Sequence, residues 1–198
     1  MSDALAPPRL APMEPPYPEE TAAMLSRWMP PGSDVEPLRL FRTLALHPEL
    51  AARMRPLGAA ILAHGTVEPL LRELMIDRTC ALCGAEYEWG VHAVAFAGAV
   101  GLSEEQLRST ASAGAADAVW SPAERAVLRL ADELHAHSDV TQELFGELQR
   151  HFSAAQILEL VVTAGWYHTI CYVINAARVQ LEPWARRLPD GASVEFVE

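Results

Sequence analysis

Residues 72–101 read RELMIDRTCALCGAEYEWGVHAVAFAGAVG. Apolar residues in this segment recur at the three- and four-residue spacing of a helix, and Gly84 divides it into two helices. The helices carry a C-x-x-C cysteine pair, several carboxylates and a histidine. A C-x-x-C pair is typical of thiol redox chemistry, whereas a glutamate and histidine cluster is typical of proton transfer. The segment therefore indicates helical structure and two competing chemistries.

Helical apolar spacing continues through most of the chain after Glu36, while strand signals are nearly absent. Three helix starts carry capping-box patterns, in which Ser103, Ser121 and Ser153 are each followed three residues later by Gln or Glu. We predict an all-α protein whose helices cover residues 37–46, 48–64, 69–83, 85–100, 103–112, 122–136, 142–151 and 154–179.

The beginning of the chain differs in composition, because nine of the fifteen prolines fall in the first 37 residues. We predict that residues 1–35 form a proline-rich arm outside the core, in which residues 18–29 make one short helix. Such an arm either wraps a neighbouring surface or subunit or remains a loose tail. Residues 36–185 then form the helical domain, and residues 186–198 a C-terminal tail.

Composition and charge limit the classes of partner and cofactor that this protein can bind. The net charge of -11 argues against nucleic acid, since phosphate binding needs clustered cations. All 15 basic residues are arginine, which excludes a Schiff-base lysine and a P-loop lysine. The N-terminus lacks the pattern of a secretory signal, and no apolar run approaches the roughly 18 to 20 residues of a membrane span. We expect a cytoplasmic protein without a membrane segment.

Residues 154–179 are apolar on almost every face of their predicted helix. Such a helix is buried within a bundle or between subunits, so we expect a homo-oligomer. Three cysteines in a cytosolic chain do not make a disulfide framework, and Cys171, in this helix, is predicted to be a small core residue.

The candidate site residues lie on both helices of residues 72–101. Glu73, Asp77 and Cys80 stand at i, i+4 and i+7, so they share one helix face. Glu88 and His92 are four residues apart on the next helix and are therefore adjacent. Two antiparallel helices joined by a tight corner bring Glu73 close to this pair. Carboxylates and an imidazole in one place can hold an acid and a base near neutral pH.

Each of these features also has a simpler interpretation. A glutamate and histidine pair at i, i+4 is a routine surface contact, and a C-x-x-C pair on a helix is often two buried small residues. Glu88 and His92 have the spacing of two metal ligands, but the sequence offers no obvious third and fourth ligand. We therefore predict no metal site.

Several stretches resemble the carboxymuconolactone decarboxylase superfamily, which includes the alkylhydroperoxidase D-like proteins. The resemblance lies in residues 40–57 (LFRTLALHPELAARMRPL), 72–92 and 123–183. The sequence E-Y-E-W-x-x-H at residues 86–92 resembles the branch that lacks redox cysteines. The resemblance implies an alkylhydroperoxidase D-like helical bundle that assembles as a trimer or hexamer and needs no cofactor.

The redox branch of this superfamily has a glutamate, then C-x-x-C, then a histidine four residues after the second cysteine. Glu73 and His92 suit that frame, but the frame puts the cysteine positions at Ala85 and Glu88. Cys80 and Cys83 stand five residues too early. The peroxidase mechanism is therefore not carried over, although a thiol-dependent peroxidase remains the alternative.

The chain also departs from the usual pattern of the superfamily. Asp77 stands where a leucine is common, and His168 follows Tyr167 where an asparagine is usual. These departures add titratable groups. They indicate either an altered pocket with a divergent substrate or polar residues tolerated at a subunit boundary.

The resemblance implies cofactor-free decarboxylation, isomerisation or lactone opening on a small carboxylated or enolisable substrate. In this hypothesis His92 is the general acid/base, Glu73 positions it or shares its proton, and Glu88 is the second acid. The remaining assignments are pocket walls at Tyr87, Trp89 and Tyr167, a second proton carrier at His168, and a substrate-binding cation at Arg72 or Arg78. The alternatives are a peroxidase that uses Cys80 and Cys83, and a non-catalytic small-molecule binder.

Overall fold

The computed structural model describes residues 6–30, 32, 35–112 and 114–189. Within these residues the regular structure is helical throughout, which confirms the all-α prediction. The helices are α1 (Glu19–Trp28), α2 (Arg39–Leu44), α3 (Pro48–His64), α4 (Pro69–Leu82), α5 (Glu86–Ala95), α6 (Glu104–Thr110), α7 (Pro122–His137), α8 (Gln142–His151) and α9 (Ala154–Ala177), with a 3-10 turn at Gly114–Ala116.

The three capping boxes that the sequence predicts are present at the starts of α6, α7 and α9. In each, the serine oxygen accepts a hydrogen bond from the backbone N–H three residues on, and the Gln or Glu side chain accepts one from the serine N–H. These bonds satisfy amide groups that a helix start leaves without partners. The local signals therefore mark the starts of α6, α7 and α9 correctly, whereas α5 ends at Ala95 and is shorter than the predicted 85–100.

Helix α4 lies at the centre of the bundle and packs against α5, α7 and α9. Its side chains Leu74, Met75 and Ile76 are fully buried in the larger of two apolar clusters. Helix α9 contributes to both clusters, with Leu160 and Ala164 in the larger one and Ile170 and Ile174 in the smaller one. The almost uniformly apolar sequence of α9 thus reflects contacts on several sides.

Helix α9 is also the one helix among the described residues whose length and apolar composition would suit a membrane span. Of its most apolar window, 44% is buried inside the bundle. The central helix of a helical bundle has the same length and composition, so this feature is weak evidence for a membrane segment.

The predicted short helix in the N-terminal arm is confirmed as α1, but the expectation that the arm lies outside the core is wrong for this helix. Met24 and Leu25 are 6% and 1% exposed, and they belong to the smaller apolar cluster with Leu40 and Leu44 of α2. The proline content obscured two adjacent apolar residues on the inner face of α1. Residues 1–5 lie outside the described part of the chain.

The C-terminal segment packs on α5. Gly90 has no Cβ, and a Cβ at this position would clash with the backbone carbonyl of Arg186. Arg187 forms an ion pair with Glu86 at the start of α5, and the Leu188 N–H donates to the same carboxylate. Residues 186–189 of the predicted tail therefore hold α5 in place, while residues 190–198 lie outside the described residues.

Truncation of Leu25 to alanine tests the role of α1 in the core. Because the leucine side chain is buried, we expect Leu25→Ala to lower the free energy of unfolding by about 2–4 kcal/mol. Leu10→Ala is the matched control, since Leu10 is 53% exposed, and it should change stability by less than about 0.5 kcal/mol. Urea denaturation measures both, and equal small effects would contradict the packing of α1.

Candidate active site

A tight corner between α4 and α5 brings the predicted acids and histidine together. Gly84 has a φ of +60°, a left-handed conformation that glycine adopts without the strain of a Cβ. Its N–H donates to the carbonyl of Ala81, and the Ala85 N–H donates to that of Cys80. The chain therefore reverses within three residues, and α5 packs along α4.

The central contact of the site joins Glu73 of α4 to His92 of α5. Nδ1 of His92 donates a hydrogen bond of 2.7 Å to Oε2 of Glu73. Glu73 is 0% exposed and His92 is 3% exposed. The other carboxylate oxygen of Glu73 lies 3.4 Å from Nε of Arg72, whose side chain is mostly buried. The structure thus brings together the two residues that the sequence separates by nineteen positions.

The opposite ring nitrogen of His92 faces two further polar groups. Nε2 lies 3.3 Å from the hydroxyl of Tyr167 on α9 and 3.6 Å from Oε1 of Glu88. The Tyr167 ring meets the imidazole edge-on, and the Phe96 ring lies against it with centroids 4.8 Å apart. Four of the predicted residues therefore form one buried cluster: Glu73, Glu88, His92 and Tyr167.

The environment of His92 favours its charged form. Burial alone lowers its pKa, but the hydrogen bonds and negative charges of Glu73 and Glu88 outweigh burial and raise the pKa to about 10. At neutral pH the ring is an imidazolium that holds a proton on each nitrogen. This pairing contributes its full stability below pH 6.5, and the contribution is lost as the pH rises toward 10.

Asp77 is the second unusual acid, one turn after Glu73 on α4. It is 1% exposed, and neither of its carboxylate oxygens has a hydrogen-bond partner. Burial raises its pKa to about 8, against the opposing charge of His92 and with a further contribution from Glu73. Asp77 is therefore protonated at neutral pH, and the site contains a neutral carboxylic acid beside an ionised pair.

The arrangement can move protons. Glu73 orients the imidazole through Nδ1, which leaves Nε2 as the nitrogen that can serve a reacting group. The Tyr167 hydroxyl lies within hydrogen-bonding distance of Nε2, and the Glu88 carboxylate lies slightly beyond that distance. General acid–base chemistry needs such a set of groups.

Three predicted residues lie elsewhere. The Tyr87 hydroxyl donates to Glu182 and accepts from the Leu40 N–H, and the Trp89 indole N–H donates to Thr110. The structure therefore does not bring Tyr87 and Trp89 to the His92 cluster, because their positions on α5 direct them into the two apolar clusters. His168 contacts His135 of α7, at 3.0 Å, and not the His92 cluster.

Arg78 does not serve the site either. Its guanidinium forms an ion pair of 2.6 Å with Asp132 and donates to the backbone carbonyls of Thr110 and Ser112. Arg72 is thus the cation beside the site. Phe96 was not among the predicted site residues, although its position four residues after His92 places both rings on one side of the chain.

Two surface clefts lie away from His92. One of about 300 Å³ lies between Gly84, Tyr87 and residues of the segment after α9, and one of about 220 Å³ lies beside α1. His92 itself is nearly closed from solvent, and Phe96 is the partly exposed ring beside it. Access to Nε2 therefore requires movement of the side chains that cover it.

Comparison with known proteins finds one matching family model. The profile of the Carboxymuconolactone decarboxylase family matches residues 48–133, which include Glu73, Glu88 and His92. Over residues 48–133 the chain therefore matches the carboxymuconolactone decarboxylase family. A comparison with curated proteins found none that matches.

Several solved structures share the fold of this chain. An uncharacterised peroxidase-related protein from Silicibacter sp. TM1040 has a TM-score of 0.76 at 15% identity, over 92% of this chain and 96% of its own. The debrominase Bmp8 has a TM-score of 0.70 at 18% identity, over 88% of this chain and 92% of its own. A protein of unknown function from Agrobacterium tumefaciens, suggested to act in antioxidant defence as AhpD, has a TM-score of 0.64 at 23% identity, over 70% of this chain and 94% of its own.

These TM-scores establish the shared alkylhydroperoxidase D-like fold. Because the identities are low, the chemistry must be argued from the residues of this chain. Thiol redox chemistry depends on accessible thiolates. Here Cys80 is 0% exposed, its Sγ lies 3.9 Å from that of Cys171, and burial raises its pKa to about 12. The hydrogen bond with Cys171 and burial also raise the pKa of Cys83, against the effect of His168. Thiols with raised pKa values are poor nucleophiles.

Replacement of Asp77 by asparagine tests its protonation. Above pH 3.8 the unfolded chain releases the Asp77 proton while the folded protein keeps it up to about pH 8, so folding takes up a proton and wild-type stability falls across this range. Asparagine has no such proton. The free energy of unfolding of Asp77→Asn relative to wild type should therefore rise between pH 4 and pH 8, by an amount on the order of a few kcal/mol.

Urea denaturation at several pH values measures this difference. Asp117→Asn is the control, because the side chain of Asp117 is partly exposed, and its pH-dependent effect on stability should be much smaller. A constant difference for Asp77→Asn would show that Asp77 is ionised in the folded protein.

Proposed function

We propose that this protein is a cofactor-free acid/base enzyme, of the lyase or isomerase type, that acts on a small carboxylated or enolisable molecule. The observation that carries the proposal is the state of His92. Glu73 holds Nδ1 at 2.7 Å, while Nε2 lies 3.6 Å from Glu88 in a site that is nearly closed to solvent. Electrostatic interactions are stronger in such a site than in water.

His92 and Glu88 have complementary roles in this proposal. The raised pKa makes His92 the proton donor at neutral pH, and its charge would stabilise an enolate or carbanion that forms when the substrate loses a proton or carbon dioxide. Glu88, on the same side of the imidazole, would accept the proton from the substrate. Glu73 is the positioning residue, and the Tyr167 hydroxyl would orient the reacting oxygen.

The side chains around His92 also favour a small substrate. Arg72 supplies the guanidinium for a substrate carboxylate, although it must then share its charge with Glu73. Phe96 offers a flat apolar surface beside Nε2. A structure of the debrominase Bmp8, one of the fold neighbours, is a complex with 2,3,4-tribromopyrrole, which supports a small ring as a ligand for a protein of this shape.

A thiol-dependent peroxidase is the alternative, and the peroxidase-related fold neighbours favour it. The burial of Cys80 and the raised pKa values of Cys80 and Cys83 weigh against it. A non-catalytic binder is the third interpretation, and the nearly closed surface over His92 is the observation in its favour.

A panel of assays on the purified protein separates the three. The panel measures release of carbon dioxide from carboxymuconolactone, exchange of solvent deuterium into small enolisable carboxylates, and consumption of an alkyl hydroperoxide with a dithiol reductant. We expect turnover in the first or second assay and a loss of about 10²- to 10⁴-fold in His92→Gln. Glu73→Gln should also lower turnover and move the pKa of His92, measured by NMR, from about 10 toward 6.5.

Cys83→Ser and Cys80→Ala are the controls, and both should retain acid/base turnover. Hydroperoxide consumption that disappears in Cys80→Ala would instead identify the thiol chemistry. Ligand binding by calorimetry without turnover in any assay would identify a binder and overturn the catalytic role of His92.

We further propose that the protein works in the cytoplasm as a homo-oligomer, as a trimer or hexamer. Support comes from the three free cysteines and from α9, which exposes Leu158, Val162 and Tyr172 along one side. Light scattering should give the mass of three or six chains for wild type. Leu158→Glu should reduce that mass, whereas Gln149→Glu, which adds a charge on the exposed side of α8, should leave it unchanged.

A further inference from the structure

A second cluster of reactive side chains lies outside the His92 site, where the ends of three helices meet. Cys83 stands at the C-terminal end of α4, His135 near the end of α7 and His168 in α9. The Cys83 Sγ lies 3.9 Å from Nδ1 of His135, which lies 3.0 Å from Nε2 of His168. All three atoms lie within 4.8 Å of one another.

These separations suit a metal ion at the centre of the cluster. Ligands of tetrahedral zinc stand about 2.0–2.1 Å (nitrogen) and 2.3 Å (sulfur) from the ion, so that two ligand atoms are roughly 3.3–3.6 Å apart. The two nitrogens must separate by a few tenths of an ångström, and the sulfur must approach Nδ1 of His135 by a similar amount. Side-chain rotations of this size need no change in the helices.

The hydrogen bond on the far side of His168 prepares that ring for coordination. Its Nδ1 lies 2.9 Å from the backbone carbonyl of Ala164, and a carbonyl can only accept, so Nδ1 carries the proton. In the neutral ring Nε2 then holds a lone pair directed at the cluster. Metal-binding histidines use the same arrangement, in which the second ring nitrogen donates to a carbonyl.

The position of the cluster favours an ion that exchanges with solvent. All three ligands are half-buried, and the exposed ring of Tyr172 stands beside His168. Asp132, one turn before His135, adds negative charge close to the cluster, although it is also paired with Arg78. Three protein ligands with solvent access leave a fourth coordination position for water.

We propose that Cys83, His135 and His168 form a binding site for a divalent metal ion of the zinc type. One thiolate and two imidazoles select such borderline ions over magnesium and calcium, which prefer oxygen. This proposal is independent of the acid/base function, because none of the three residues belongs to the His92 cluster. It revises the sequence-based expectation of no metal site, which considered only Glu88 and His92.

Cobalt(II) is the probe for the test, because it replaces zinc and absorbs visible light. The full-length protein is freed of metal with a chelator, kept reduced and titrated with Co²⁺. We expect about one equivalent to bind, with a thiolate-to-cobalt charge-transfer band and intense visible bands of tetrahedral geometry. Zn²⁺ should displace the cobalt and remove these bands.

Variants assign the ligands. Cys83→Ser should abolish the charge-transfer band, and His135→Asn and His168→Asn should each weaken binding by more than about tenfold. Cys80→Ala and His137→Asn are matched controls on the same two helices and should bind as wild type does. Thermal unfolding without metal shows whether each variant folds, and if Cys83→Ser does not fold, the two histidine variants decide.

A thiol reagent gives an independent readout. Cys80 and Cys171 are buried, so Cys83 is the thiol that should react in the folded protein. Bound Zn²⁺ should slow that reaction in wild type and not in His168→Asn. Absence of a charge-transfer band, or a band that persists in Cys83→Ser, or equal weakening in His137→Asn, would overturn the proposal.

Discussion

The buried contact between Glu73 and His92 is the constraint on which the site depends. Removal of a carboxylate and an imidazolium from water is costly, and mutual pairing with further hydrogen bonds offsets that cost. Glu73 has His92 on one oxygen and Arg72 on the other, while His92 has Glu88 and Tyr167 on its far nitrogen. If α5 slid along α4, Glu73 and His92 would lose several of these hydrogen-bond and ion-pair partners. The pair therefore fixes how α5 lies on α4 and where α9 must pass.

Much of the fold and part of the site could be predicted from local sequence. Apolar spacing and serine capping boxes act within a few residues, which is why helix boundaries such as that at Ser121 were predictable. The proximity of Glu73 and His92 was predictable because the two residues lie on consecutive helices that a tight corner at Gly84 connects. Tyr167 followed from resemblance alone, since nothing in its own sequence environment indicates contact with α5.

The residues that the structure places elsewhere are those whose partners are distant in the sequence. Tyr87 and Trp89 were placed at the site because they flank Glu88, but neighbouring residues on a helix point in different directions, and their hydroxyl and indole groups find partners on other elements. The neighbours of the C-x-x-C pair were unpredictable for the same reason. Cys80 faces the core beside Cys171, whereas Cys83 stands at the helix end beside His135, a residue 52 positions later. Spacing along one helix could not indicate these neighbours.

The contact of Gly90 with the Arg186 backbone bears on how the protein folds. The corner between α4 and α5 can form early, because its residues are close in sequence. The backbone that covers α5 arrives 96 positions later, after α9 has been made. Contacts of such long sequence separation form late, since a large loop must close before they contribute. The helix that carries His92 is therefore secured only after α9 and the segment that follows it have been made.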